Sequence, residues 1–248
     1  MIATAAAFRA QILDVVGDVW WASPCAIFQF FDNHLTREGA QVFALEHSVF
    51  AANFPRWFGN IVGNCPDLDA RQYMIENMYV EEVHDPTVTV GHYDSMVLFG
   101  QGLGLSEKAV RSYGGHVVTR MAIAYWDNAS RTKPWLEAFA AVGGLEIKAN
   151  KELADRYGRS PLNSGSYFRR LGLPDWAMVH WQSAEAADHG EGGHGDASVD
   201  LLVRHATTAD EQARVLQTLR ESMEVSRYHF DAMGRRAIEA SQAALARR

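Results

Sequence analysis

The sequence predicts an all-α fold, a compact bundle of seven or eight helices in a single domain over residues 1–248. Three observations carry that expectation. Apolar residues recur at three- and four-residue spacing through most of the chain, and no stretch alternates persistently enough to build a sheet. No repeat, low-complexity tract or long linker divides it. With 48% hydrophobic and 21% charged residues over 248 positions, the chain can bury a substantial core and is neither disordered nor fibrous.

The elements follow in order. Residues 5–16 and 38–53 show helical periodicity, and Pro55 permits a new start through Trp57 and Phe58 to Val62. Asp67 reads as an N-cap for a helix toward Glu82, with Leu68, Tyr73, Ile75 and Met78 as its stripe. Asp85-Pro86 stops that helix, because proline disfavours helical geometry in the residue before it. Residues 87–91 read as an extended connection, and helix resumes over 92–103. A helix from Ser106 to about residue 128, a long one over 134–157, another over 174–189 and a closing one over 208–245 complete the chain.

Charge and composition narrow the function. Lys and Arg number 23 against 30 Asp and Glu, a net of −7, which argues against nucleic-acid binding by phosphate neutralisation and against a polybasic membrane clamp. No apolar run approaches the roughly 20 residues of a spanning helix. The N-terminal MIATAAAFRA has no basic region ahead of its apolar stretch, so a signal peptide is not expected. Cys25 and Cys65 alone make neither a disulfide framework nor a thiolate metal site. The expectation is a soluble, cytoplasmic protein with a small-molecule substrate, and no nucleic-acid or membrane partner.

Carboxylates and histidines within apolar helices are the chemical signal. Glu81 and Glu82 end a core stripe in which Ile75, Met78 and Glu82 share a face. A carboxylate in such a place costs several kcal/mol unless protonated, paired or bound to a cation. His92 follows just past the Pro86 break, and Glu146 lies among Val142, Leu145 and Ile147 next to Gly143-Gly144. His180 precedes Trp181, and Glu185 and His189 share a helix face four residues apart. Carboxylates bridge hard cations and imidazoles complete their coordination, so three carboxylates and three histidines from several helices suit a di-iron centre. Singly, each Glu reads as well as a solvated helix face, and His180 as a core histidine. Glu46 is a reserve carboxylate. His84 sits at a turn, His194 in a Gly-rich loop suited to a lid, and His34, His205 and His229 at surface positions. Trp57, Tyr79, Tyr125, Trp126 and Trp181 are candidate pocket aromatics, and Arg56 or Arg120 candidate partners for a substrate carboxylate.

The segments FPRWFGNIVGNCPD (54–67), ENMYVEE (76–82) with His92, and LFGQGLGL (98–105) resemble the PqqC-like and CADD-like branch of the haem-oxygenase-like superfamily. The resemblance covers residues 43–189. It implies a seven-helix haem-oxygenase-like bundle, often a homodimer. The di-iron oxidases of that group use Glu, His, Glu and a closing His-x-x-x-Asp-x-x-His helix. Glu82 (or Glu81), His92 and Glu146 match the first three positions, and His180, Glu185 and His189 fall on the closing helix. There His180 and His189 are nine residues apart where the family has seven. Seven residues turn a helix by about 700°, back to nearly the same face, whereas nine turn it by about 900°. An ungapped match ending at His189 instead puts Gln182 and Ala186 at the His and Asp positions.

The resemblance thus implies an O2-dependent non-haem di-iron oxidase or oxygenase with two Fe(II) per chain and O2 as co-substrate. The expected substrate is a small polar metabolite, an amino acid or derivative, in a biosynthetic pathway. The alternatives are a metal-free PqqC-like oxidase using His84, His180 and Tyr125 as acid–base groups, a thiaminase-like hydrolase, and a non-catalytic binding bundle.

Overall fold

Thr208 fixes where the longest helix begins. Its hydroxyl accepts from the Glu211 amide, and the Glu211 carboxylate accepts the Thr208 amide in return at 2.9 Å. In the computed structural model, which describes residues 2–83, 90–162, 164–188 and 193–247, that helix runs 37 residues, Ala209–Leu245. For 184–188 the description extends only to the helix containing them.

In chain order the helices are α1 (Ala5–Val16), α2 (Ala26–Asn33), α3 (Arg37–Ala51), α4 (Phe54–Val62) and α5 (Leu68–Glu82). Next come α6 (His92–Gly102), α7 (Glu107–Arg111), α8 (Val117–Thr132) and α9 (Trp135–Val142). The last are α10 (Lys151–Tyr157), α11 (Ser166–Arg169), α12 (Val179–Asp188), α13 (His194–His205) and α14 (Ala209–Leu245). The described residues contain no strand, so the all-α expectation holds. None of their helices is long and apolar enough to cross a membrane.

The apolar stripe of α14, including Val215, Leu219, Met223, Phe230 and Met233, is buried against α1, α2, α3, α8 and α9. Gly234 lets α2 reach α14. A Cβ there would lie 2.2 Å from Ile27 N and 2.3 Å from the Ala26 carbonyl carbon, and that backbone has no flexible end to move. Gly234→Ala is therefore expected to destabilise the fold by about 1–3 kcal/mol, the range for overpacking. Urea unfolding reads this directly, and an unchanged midpoint would refute the close approach.

The predicted helices are more broken than their periodicity suggests. The helix expected from Ser106 is two, α7 and α8, divided where Gly115 adopts φ +79°, a conformation that suits glycine. The long helix expected over 134–157 is α9, a 3-10 segment (Gly143–Ala149) and α10. At Gly144 a Cβ would meet Leu219 Cδ1 at 2.5 Å, so the glycine allows close packing on α14. Three helices were not expected at all: α2, preceded by a π-helical turn over Gly17–Trp21, the short α11, and α13, which starts at the end of the Gly-rich stretch. The expected extended connection lies mostly outside the described residues.

Candidate active site

Several of the functional candidates line a cavity of about 180 Å³. Its apolar wall is aromatic: Phe43, Phe50, Phe54, Trp181, Phe230 and Trp20. Set into that wall are Glu81, His92, Glu146, His180 and His194, together with His47 and Lys148.

Glu81 comes from the last turn of α5 and His92 from the first position of α6. The Glu81 Oε2 to His92 Nδ1 distance is 2.8 Å, and both side chains are largely withdrawn from solvent, 10% and 13% exposed. Gly91 makes the junction possible. A Cβ at that position would stand 2.7 Å from the Glu81 carbonyl oxygen and 3.2 Å from that of Glu82, so the start of α6 rests on the end of α5. On the far side of the ring, His92 Nε2 is 3.1 Å from Ser183 Oγ on α12.

Glu146 sits in the 3-10 segment, where the two glycines interrupt the helix. Its Oε2 accepts from Tyr73 OH at 2.8 Å and Ser198 Oγ at 2.9 Å, and its Oε1 accepts from Asn77 Nδ2 at 2.8 Å. Donors from α5 and α13 thus fix the carboxylate in the cavity wall. His194 Nδ1 lies 3.7 Å from the same Oε1. The residue expected in a loop lid is instead the first residue of α13, beside this carboxylate.

His180 is 6% exposed, and its Nδ1 lies 2.9 Å from Ser95 Oγ. The Ser95 hydroxyl donates to the His92 carbonyl at 2.7 Å, so it must accept from His180 Nδ1–H. That network assigns the tautomer and leaves the lone pair on Nε2. The His92 and His180 rings meet edge to face, 5.4 Å between centroids.

Several sequence candidates lie elsewhere. Glu82 is exposed, and it is its neighbour Glu81 that lines the cavity, because one helical step turns a side chain by about 100°. Glu46 is 1% exposed but absent from the cavity wall, held by partners on the far side of α3. Arg56 and Arg120 line a separate surface groove, bonded to Asn53 and to the Gly115 carbonyl. Of the five candidate aromatics only Trp181 is among the described lining residues; Trp57 and Trp126 are core, and Tyr79 is 53% exposed. His229, expected at the surface, is 1% exposed. Glu185 lies on α12 with its side chain outside the description, and His84 and His189 lie outside the described residues.

The donor set, two carboxylates and several imidazoles from separate elements, fits iron by type. Among the described residues, no three of these side chains are grouped about a single point; they are paired with one another instead. The residues suited to hold iron are Glu81, His92, Glu146 and His180.

Two polar cavity residues, His47 and Lys148, escaped the sequence reading. His47 stacks on Phe43 and Phe50, and its Nδ1 is buried without a partner. Burial pushes its imidazole down to about 3, with the nearby charges of His229 and Lys148 acting in the same direction. Burial likewise takes His229 down to about 4, and Lys148 adds to it. Both rings are neutral in the folded protein but titrate near 6.5 when unfolded. The associated stability is complete above pH 6.5 and is lost as pH falls below it, because the unfolded chain takes up protons that the folded one refuses. From pH 7 to pH 5, His229 alone should cost about 2 kcal/mol. Urea unfolding at the two pH values tests this; a flat response, or one unchanged by His229→Gln, would count against it.

The helical bundle is of the haem-oxygenase-like fold. The profile of a family described as iron-containing redox enzyme, of haem-oxygenase type, matches residues 41–227, and the chain belongs to that family. It is 25% identical over 213 residues to pyrroloquinoline-quinone synthase of Pseudomonas entomophila, covering 82% of this chain and 76% of that protein. Two solved structures share its fold. A protein of unknown function with a heme oxygenase-like fold from Shewanella denitrificans aligns with a TM-score of 0.70 at 14% identity, over 95% of this chain and 94% of that one. A CADD-like protein from Nostoc punctiforme aligns with a TM-score of 0.70 at 13% identity, over 94% and 98%.

Proposed function

We propose that this chain is an O2-dependent non-haem iron oxidase or oxygenase acting on a small polar metabolite, an amino acid or a derivative, in a biosynthetic pathway. The observation that supports it is the placement of Glu81, His92, Glu146 and His180, from four separate elements, in the wall of one aromatic-lined cavity. Fe(II), two ions per chain in this reading, would supply the electrons and open coordination positions that let O2 react. Glu185 and His189 of the closing segment are the proposed remaining ligands.

The chain's own residues do the rest. Ser95 accepts from His180 Nδ1–H and so fixes the ring's tautomer, and Ser183 steadies His92. Tyr73, Asn77 and Ser198 fix the orientation of the Glu146 carboxylate. Phe43, Phe50, Phe54 and Trp181 keep the cavity largely apolar, which limits the water that competes with substrate.

A second reading has its own support. The direct Glu81–His92 contact is a ready acid–base pair, and it suits a metal-free oxidase in which His92 and His180 move protons for a redox-active substrate. Anaerobic Fe(II) titration separates the two. Uptake of about two equivalents, followed by O2 consumption that depends on them, supports the iron reading. No uptake, with O2 consumed in the presence of a quinone precursor, replaces it with the second.

A further inference from the structure

The cavity is lined by a lysine that no carboxylate among the described residues answers. Lys148 Nζ lies over two aromatic faces, 4.8 Å from the centroid of Trp20 and 4.7 Å from that of Phe230. It donates to Ser226 Oγ at 2.8 Å, and Ser226 sits one turn before Phe230 on α14. No carboxylate pairs with it among the described residues, whereas Lys133 and Lys151 both have acidic partners at 3.8 Å and 2.5 Å. An ammonium has three donors. One is used by Ser226, and two ring faces give a partial, non-directional compensation for lost hydration. An unpaired charge in such a place is costly, and burial pulls the Lys148 ammonium down to about 7; an opposite charge brought into the cavity favours its protonated form.

We propose that Lys148 anchors the carboxylate of the substrate, and that this substrate is a carboxylic acid whose body is about one ring in size. The assignment rests on reading this cavity as the active site. Three features support it. Three elements, the turn over Gly17–Trp21, the 3-10 segment and α14, set two ring faces and a hydroxyl around the ammonium. Lys148 shares the cavity lining with Glu81 and Glu146, whose carboxylates are engaged by His92 and by Tyr73, Asn77 and Ser198 and are not paired with the lysine. A substrate carboxylate in that cavity is attracted by the ammonium and repelled by the two carboxylates. The cavity's volume, about 180 Å³, sets the size, since an apolar cavity of roughly 150 Å³ accepts a benzene ring. What is left accommodates a short carboxylate arm.

The test uses binding alone, on the full chain, without metal and without O2. The probes are 3-phenylpropionate and its neutral amide, titrated calorimetrically into the wild type, Lys148→Met and Lys148→Arg, with each variant's fold checked by its thermal melt. The acid should bind the wild type and lose about tenfold or more in affinity to Lys148→Met, the order expected when one partner of a withdrawn charge pair is removed. The amide should bind the wild type and Lys148→Met alike, and Lys148→Arg should retain most of the affinity for the acid. Equal binding of acid and amide to the wild type overturns the assignment, as does undiminished binding of the acid to Lys148→Met, or no binding of either probe. If Lys148→Met fails to fold, Lys148→Gln takes its place and Lys148→Arg still reads the charge. Fe(II) titration of Lys148→Met separates this idea from the iron reading: intact iron uptake with lost discrimination supports the anchor, and lost discrimination is not expected to follow iron loss in His180→Ala.

Discussion

Replacing His180 with alanine is expected to lower iron-dependent O2 consumption by more than about a hundredfold and to reduce Fe(II) uptake. The size of the effect follows from how the ring is held. Ser95 accepts the Nδ1 proton while donating its own to the His92 carbonyl, so the Nε2 lone pair is set by hydrogen bonds that do not involve the cavity. Removing an orienting group of this kind typically costs tenfold to a hundredfold in metal affinity or activity, and removing the donor itself costs more. Ser95→Ala should therefore show the smaller loss. His180→Gln is the companion variant, because it fills much of the same space without an imidazole nitrogen. An oxygen electrode and an anaerobic iron titration read both quantities. Wild-type stoichiometry and rate in His180→Ala would remove His180 from the proposed ligand set, and a larger loss in Ser95→Ala than in His180→Ala would undo the orienting role of the serine.

The helical class was legible because period is a property of sequence alone. Residues 5–16 and the closing helix carry their apolar spacing openly, and the long stripe of α14 cannot be read any other way. Breaks were harder. Gly115 and Gly143-Gly144 interrupt helices for reasons of contact and backbone conformation that the local pattern does not encode, and α2 is only eight residues long, with its exposed Gln29, Asp32 and Asn33 too few to set a period apart from the apolar run around them. Within the site, His92, Glu146 and His180 were visible as polar residues in apolar company, and the structure places all three in one wall. The choice between Glu81 and Glu82 was not visible, because it depends on where α5 ends and how Gly91 docks α6 against it. Lys148 went unnoticed for a simpler reason. A lysine between apolar residues ordinarily reaches water, and only the contacts with Trp20, Phe230 and Ser226 show that this one does not.

Glu46 shows how a buried carboxylate can serve the fold instead, and Glu46→Gln is expected to cost about 3 kcal/mol. Its Oε2 accepts from Thr119 Oγ1 at 2.6 Å and the His116 amide at 3.0 Å, while Oε1 takes the Tyr113 hydroxyl and the Arg236 guanidinium. These partners tie α3 to the start of α8 and to α14. Burial alone would raise its carboxyl, but the hydrogen bonds from Thr119, Tyr113 and His116, with the Arg236 charge, reverse that and hold it below the usual carboxylate range. The associated stability is present above about pH 4.5 and is lost as pH falls below it. Removing one member of a buried ion pair typically costs 3–5 kcal/mol, and the lower end applies here because the Arg236 side chain is 34% exposed. Replacing both members together, Glu46→Met with Arg236→Met, should restore part of the loss, since neither charge is then left unanswered. Denaturant unfolding of the single and double variants gives the coupling. At temperatures where Glu46→Gln stays folded, its iron uptake should match the wild type, because Glu46 faces away from the cavity while His47, one position on, lines it. A variant that is fully stable yet has lost iron would reverse the assignment and make Glu46 a ligand after all.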